Sequence, residues 1–375
     1  MKTFCSYYNS GQCRSCDLIE IDYKDQIILK EKKLQRYSLL SSVQSEQWGF
    51  RNKAKFSVTG TIEKPIIGLL GEHDLDEGRE LLSCPLHHPV VNEIVASLPE
   101  VITNARIFPY NIQEKKGELK GIILFHSADT KETYLRFILR SKESIDRLKK
   151  YLPNHPSIKC ISVNIQPIPH AILEGDEEIF LTETKSISHK ISNITFTISP
   201  KAFIQTNSKI AEKLYETASD WIAERSPSKF LELFSGQGNF SFIASEHFKK
   251  GLGIEINTDA VEMANQMAKS LNLDKLQFIS SNAQRILDDA IQFSPDLLLV
   301  NPPRRGLGSA IDLVKKIKAP TFIYSSCNAT TLIEDINALE DIYEVVRGQV
   351  FDMFPQTSHF EVLFELRLKE SIHNF

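Results

Sequence analysis

The chain predicts an α/β protein whose C-terminal half is a parallel, doubly wound sheet, preceded by a β-rich or α+β region. Three observations carry that prediction. From about residue 208 onward, short apolar runs alternate with stretches of helical periodicity, the pattern of repeated strand–helix–strand units. Two of those runs stop at reactive residues. One ends in Asn301-Pro302-Pro303-Arg304-Arg305-Gly306 and the other in Cys327, 26 residues beyond Asn301, a spacing that fits one such unit. The first 195 residues instead show short alternating runs separated by turn residues.

Taken in order, the early strands are expected at 55–58, 66–70, 119–125, 134–139, 158–165 and 179–182, with turns at Gly117-Glu118 and Glu174-Gly175-Asp176. Helices are expected at 87–98 and 142–151. A soft boundary falls near 190–200, with Pro200 as hinge, so the domains read as 1–90, 91–195 and 196–375. Beyond it, Ile210, Leu214, Tyr215, Ala218, Trp221 and Ile222 recur at helical spacing and place a helix over 208–223, capped by Asn207 or Ser208. A strand at 230–234, a tight loop at 235–239 and a helix to about His247 follow. Next come a strand at 251–256, a helix to Asn272 capped by Thr258 or Asp259, and a strand at 276–279. A helix from about Ala283, a strand at 296–301, a helix near 309–318 and a strand at 321–327 complete the alternation. Two last strands, 343–351 and 359–368, are close enough in sequence to pair antiparallel at one edge.

Composition narrows the function classes. With 375 residues, 42% hydrophobic and 25% charged, the chain is an ordinary globular protein with room for two or three cores. The net charge of −4 argues against a generic polyanion binder and leaves room for one local basic face. No apolar run approaches a membrane span, and Met1 to Cys5 lacks the apolar stretch of a secretory signal, so a cytoplasmic protein is expected. Six unevenly spaced cysteines in that compartment are not a disulfide set.

Ligands of open α/β sheets bind at the carboxyl edge of the strands. Cys327 and the Asn301 loop belong to that edge, although a lone cysteine is as readily a small core hydrophobe, the reading given to Cys160 in its strand. Ser235-Gly236-Gln237-Gly238-Asn239-Phe240 joins a strand to a helix, and Gly236 and Gly238 let the backbone approach a ligand. The third glycine of the dinucleotide fingerprint is replaced by Ser241, and Glu255 ends the next strand 17 residues after Gly238, where a carboxylate can hold both ribose hydroxyls. That combination suits an adenosine ligand without a pyrophosphate, S-adenosylmethionine being the common one. A dinucleotide domain that has lost a glycine is the alternative. Seven residues separate Cys5 from Cys13, two separate Cys13 from Cys16, and 67 separate Cys16 from Cys84. Four thiolates suit zinc or a [4Fe–4S] cluster, and His87 and His88 keep a mixed zinc site open.

Together, Gln205-Thr206-Asn207, Glu232 to Gly238, Glu255, Asn301 to Gly306, Tyr324-Ser325-Ser326-Cys327-Asn328 and His359-Phe360-Glu361 resemble the RNA 5-methyluridine methyltransferases. Cys5, Cys13, Cys16 and Cys84, with Phe50-Arg51-Asn52-Lys53-Ala54-Lys55, narrow the resemblance to the short iron–sulfur branch acting on uridine 747 of 23S ribosomal RNA. It extends over essentially the whole chain. It departs at Ser235, where a cysteine is usual, and at Asn301, where many relatives have Asp. The resemblance implies a class I, Rossmann-like S-adenosylmethionine-dependent methyltransferase domain behind an RNA-binding domain with an N-terminal iron–sulfur segment. It further implies Cys327 and Glu361 as catalytic residues, Gln205, Phe234, Gly236, Gly238, Glu255 and Asn301 on the cofactor, and a [4Fe–4S] cluster on Cys5, Cys13, Cys16 and Cys84. The implied partner is 23S ribosomal RNA, and a monomer is expected. A tRNA uridine-C5 methyltransferase and a non-catalytic iron–sulfur assembly factor are the other readings.

The chemistry explains the residue types. Carbon 5 of uracil is a poor nucleophile until a thiolate adds to carbon 6, the role open to Cys327. Arg304 or Arg305 could favour the thiolate or the enolate oxygen. A base must then take the proton from carbon 5, which the resemblance assigns to Glu361. Arg51, Lys53 and Lys55 alternate along one strand face, and Lys115, Lys116 and Lys120 form a second basic run; the first is the phosphate-binding candidate.

Overall fold

A computed structural model describes residues 3–71, 77–168, 174–281 and 287–369. Up to residue 200 the elements are α1 (Ser6–Asn9), α2 (Tyr23–Lys32), β1 (Leu39–Val43), β2 (Lys53–Gly60), β3 (Pro65–Leu70), β4 (Gly78–Glu80), α3 (Pro89–Asn104), β5 (Leu119–Ser127), β6 (Glu132–Leu139), α4 (Ile145–Lys150), β7 (Ile158–Ile165), β8 (Glu177–Phe180), β9 (Ile187–Ile191) and β10 (Ile194–Ile198). Beyond it come α5 (Ser208–Arg225), β11 (Lys229–Leu233), α6 (Asn239–Ile243), β12 (Lys250–Glu255), α7 (Thr258–Ser270), β13 (Leu276–Ser280), α8 (Leu287–Phe293), β14 (Leu297–Val300), α9 (Ala310–Ile317), β15 (Thr321–Ser326), α10 (Ala329–Leu339), β16 (Tyr343–Phe351) and β17 (Glu361–Leu368). Ala283, the expected start of one helix, lies outside the described residues.

The chain forms two compact units, and neither is continuous in sequence. One comprises residues 1–20 and 46–208, the other 21–45 and 209–375. The sequence places a boundary at 90/91, but β2 pairs directly with β5, so strands on both sides of that point share one sheet. Residues 21–45, assigned by sequence to the N-terminal portion, fold instead with the C-terminal unit.

The first unit is a seven-stranded sheet in the order β4-β3-β2-β5-β6-β7-β8, antiparallel except between β6 and β7. Helix α3 lays Val91, Ile94, Val95, Leu98 and Ile102, a three-and-four-residue stripe, into a core with Ile122, Leu124, Phe137 and Val163. Along β6, Leu135, Phe137 and Leu139 enter that core, while Arg136 turns to the opposite face. There Arg136, 1% exposed, donates to both Glu178 oxygens (Nε at 2.9 and 3.0 Å) and to Glu174 (2.5 Å). Ser162 and Asn164 also donate to Glu178, so the buried charges are matched.

The second unit is an eight-stranded sheet in the order β1-β16-β17-β15-β14-β11-β12-β13. Strands β13, β12, β11, β14 and β15 are parallel neighbours, as the alternation predicts. β17 runs antiparallel between β15 and β16. The expected pairing of the last two strands is present, but β16 is not the edge, because β1 adds to it in parallel. Helix α7 is capped by Asn257, whose side chain accepts the Ala260 amide, rather than by Thr258 or Asp259. Among the described residues no helix is long and apolar enough to cross a membrane.

Candidate active site

The register of the second sheet sets its carboxyl edge. Leu233 pairs with Ile254 and with Val300, and Val300 pairs with Tyr324, so Phe234, Glu255, Asn301 and Cys327 all follow strand ends on one side. Phe234 takes φ +59° and turns the chain out of β11, and Gly236 and Gly238 continue the turn at +54° and +81°. At Gly238 a Cβ would also lie 2.4 Å from the Phe278 ring, so close packing and backbone conformation both require glycine there. A Cβ on Gly236 would meet nothing within 4 Å, leaving its outer side open to a ligand.

Glu255 holds this loop. One carboxylate oxygen accepts the Gly236 amide at 2.9 Å, and the other accepts the Ile256 and Asn257 amides at 2.8 and 2.9 Å. Glu232, not singled out as a functional residue by sequence, is 1% exposed and accepts from the Ser241 amide at 3.1 Å and from its hydroxyl. Burial pushes its carboxyl up to about 8. An acidic residue in an otherwise apolar strand was the signal available for it. Gln205, expected beside these residues on the cofactor, is buried in the other compact unit, next to Thr206, whose carbonyl accepts the Asn52 amide at 2.7 Å.

Ser326 pairs with Val362 across β15 and β17, which sets Cys327 opposite Glu361. Cys327 is partly exposed and Glu361 is buried. Burial raises the thiol above its ordinary range, the Glu361 carboxylate adds to the rise, and the positive charge of Arg304 opposes both. Of the two candidate arginines, Arg304 is the one whose charge is felt at the thiol. Its loop is pinned to the start of α10: the Arg304 carbonyl accepts from Asn328 Nδ2 at 2.9 Å and from Thr331 Oγ1 at 3.1 Å. Asp335, further along α10, accepts the Leu307 amide at 2.8 Å and the Tyr324 hydroxyl at 2.6 Å.

In the first unit, Cys5, Cys13, Cys16 and Cys84 line one cavity together with Tyr7, Tyr8, Trp48 and Leu86. Cys160 is fully buried in β7, as core packing predicts. Burial and the neighbouring cysteines push the Cys16 thiol up to about 12, and burial raises Cys84 as well. Among the described residues no three or more His, Cys, Asp or Glu side chains converge to hold one metal ion. Arg51 lies beside Cys84 and Cys16, half-buried, and among the described residues it has no carboxylate partner.

The basic runs prove less exposed than their alternation suggests. Lys53 is lowered to about 8 by burial and donates to the Ala202 carbonyl at 3.3 Å, while Lys55 is paired with Glu174 at 2.7 Å. Lys120 is buried, donating to the Ile168 carbonyl beneath the Tyr110 ring, so it is not part of a surface patch with Lys115 and Lys116.

Comparison with known proteins agrees with this geometry. The tRNA (Uracil-5-)-methyltransferase family matches residues 173–368. The 23S rRNA (uracil(747)-C(5))-methyltransferase RlmC of Haemophilus influenzae (strain PittEE) is 38% identical, over 98% of this chain and 99% of its own length. The protein of the same name from Escherichia coli O139:H28 is 39% identical over 96% and 98%. Among solved structures, the Pyrococcus abyssi tRNA (uracil-54, C5)-methyltransferase in complex with S-adenosyl-L-homocysteine superposes with a TM-score of 0.79. It covers 94% of this chain and 85% of that one at 24% identity, a likeness of fold.

Proposed function

The chain belongs to the tRNA (Uracil-5-)-methyltransferase family, and from that premise we propose that it methylates carbon 5 of uridine 747 in 23S ribosomal RNA through a covalent Cys327–uracil adduct. The relatives alike over their whole length support the ribosomal target. The observation that carries the mechanism is the strand pairing that sets Cys327 opposite Glu361.

The residues divide the reaction between them. Phe234, Gly236, Gly238, Glu255 and Asn301 frame the side of the sheet edge that would hold S-adenosylmethionine; Gln205 joins them by resemblance. The cofactor supplies an electrophilic methyl group. The target base must leave its stack to reach the thiol. The Cys327 thiolate bonds to carbon 6, and the electron pair displaced to carbon 5 takes up the methyl group. Arg304, whose charge favours the thiolate, would also stabilise the negative charge that develops on the ring oxygen. Glu361 then removes the proton from carbon 5, the ring double bond reforms, and the carbon–sulfur bond breaks to return the thiolate.

The four-cysteine cavity suits a [4Fe–4S] cluster. Neutral thiols would leave the half-buried Arg51 guanidinium without a neighbouring anion. Four metal-bound thiolates supply the missing negative charge. Zinc would need its ligands gathered at about 2.3 Å from one ion, whereas a cubane asks for one thiolate on each of four irons. The cluster does not take part in methyl transfer, which moves no electron.

Mapping of 5-methyluridine in 23S ribosomal RNA from cells with and without the gene tests the target. The modification should vanish at position 747 alone and return with the wild-type gene. Loss at a tRNA position would favour a tRNA enzyme, and no loss anywhere would favour a non-catalytic factor. Anaerobically purified protein should carry about four irons per chain; stoichiometric zinc without iron would defeat the cluster assignment.

A further inference from the structure

We propose that Asp335 is a positioning residue for methyl transfer: through the turn 303–307 it holds the loop that carries Arg304 beside the strand end that carries Cys327. This rests on the reading of Cys327 as nucleophile. Nothing in the chemistry of uracil calls for Asp335, which sits well inside α10 and away from the thiol in sequence.

One oxygen of its carboxylate, Oδ2, accepts two hydrogen bonds from two different parts of the site. The Leu307 amide belongs to the loop that carries Arg304, and the Tyr324 hydroxyl belongs to β15, three residues before Cys327. Tyr324 is fully buried. The carboxylate thus ties the arginine loop to the cysteine strand through a charge-assisted fork. Asp335 holds the far end of the loop, and three other bonds hold the near end. The loop's internal bond is Gly306 amide to Pro303 carbonyl at 2.9 Å, and its other ties, Asn328 and Thr331, also come from the α10 end.

Gly306 shows how close the approach is. It takes φ +77°, and a Cβ there would lie 2.6 Å from Asp335 Oδ2. Glycine lets the turn press onto the carboxylate, and the carboxylate in return satisfies the Leu307 amide. Removing Asp335 releases that amide and the Tyr324 hydroxyl together. The 306–307 end of the turn then loses its anchor, and Arg304 is held only through its carbonyl on Asn328 and Thr331.

The test reads the thiol directly, without RNA or S-adenosylmethionine. Alkylation of Cys327 by iodoacetamide is followed by peptide mass spectrometry across pH in the intact protein, which separates Cys327 from the other five cysteines. Asp335→Ala should slow alkylation at neutral pH by about tenfold and shift its pH profile upward, in the same sense as Arg304→Ala. Asp335→Ala combined with Arg304→Ala should be no slower than Arg304→Ala alone. Tyr324→Phe, which cuts the tie to β15 and leaves the Leu307 bond, should fall between wild type and Asp335→Ala. Asp335→Asn keeps an acceptor oxygen and should fall between wild type and alanine; it serves if the alanine variant does not fold. An unshifted profile in a folded Asp335 variant, or an additive double variant, overturns the proposal while leaving the mechanism standing. An unshifted profile in Arg304→Ala instead sinks the premise that Arg304 favours the thiolate.

Discussion

Cys327 sits where ionisation is opposed by burial and by Glu361 and helped by Arg304. The same two neighbours serve opposite steps, one favouring the thiolate and the other drawing a proton later. Glu361→Gln should therefore have two effects that a surface residue would not show. The thiol loses a charge that raises it, so Cys327 becomes easier to ionise. Turnover meanwhile stalls after methyl transfer, leaving RNA bonded to protein in a denaturing gel, formed only with S-adenosylmethionine and carrying its labelled methyl group. Cys327→Ala should abolish both the band and activity while S-adenosylmethionine still binds. Normal turnover by Glu361→Gln would remove it from the mechanism. Cys327, Gly236, Gly238 and Glu255 were legible because strand ends, glycines and a spaced carboxylate leave marks in a linear string. Asp335 left none, since its meaning lies in two partners from separate segments, Leu307 and Tyr324.

Elements follow the same rule. The strand over 158–165 coincides with β7, and 134–139 matches β6 to within two residues, because alternation is a local signal. Helix α10 was missed although Leu332, Ile336 and Leu339 are spaced to bury one face. Helix α2 had no such mark: its buried residues are Gln26, Ile27 and Lys30. Their partners lie far along the chain. Lys30 Nζ meets Asp352 at 2.5 Å with both side chains essentially unexposed, Tyr23 donates to Asp352 at 2.7 Å, and Gln26 bonds with Gln356. This helix braces the segment that leads into β17 and Glu361. Lys30→Ala leaves a buried carboxylate short of its cation and should cost about 3–5 kcal/mol in denaturant unfolding. Lys30→Met combined with Asp352→Leu should recover much of that loss, and an Ala variant as stable as wild type would show the pair to be idle.

Across the whole molecule, contiguous domains were the natural reading of a string, and the two units are discontinuous because strand pairing ignores sequence distance. The first unit also carries a sensitivity to acid. His126 bonds to Thr133 at 2.9 Å and His189 to Ser127 at 3.0 Å, and burial lowers each to about 4. Their unfolded value is near 6.5, so the unfolded chain binds more protons between those limits. Their contribution, up to about 3 kcal/mol each, is complete above 6.5 and is lost as pH falls toward 4. Melting temperatures should decline over that window, and His189→Gln should flatten the decline; a slope unchanged by the substitution would assign it elsewhere. The parallel seat of β1 on β16 bears on how the chain is made. Residues 39–43 leave the ribosome some three hundred residues before the strand that receives them, and the first unit can close around its cysteines in the interval. A fragment begun at residue 209 would arrive with the outer rim of β16 bare, a row of unpaired amides and carbonyls inviting another copy to add a strand. The leading segment is thus a built-in guard against self-association, delivered early and used last.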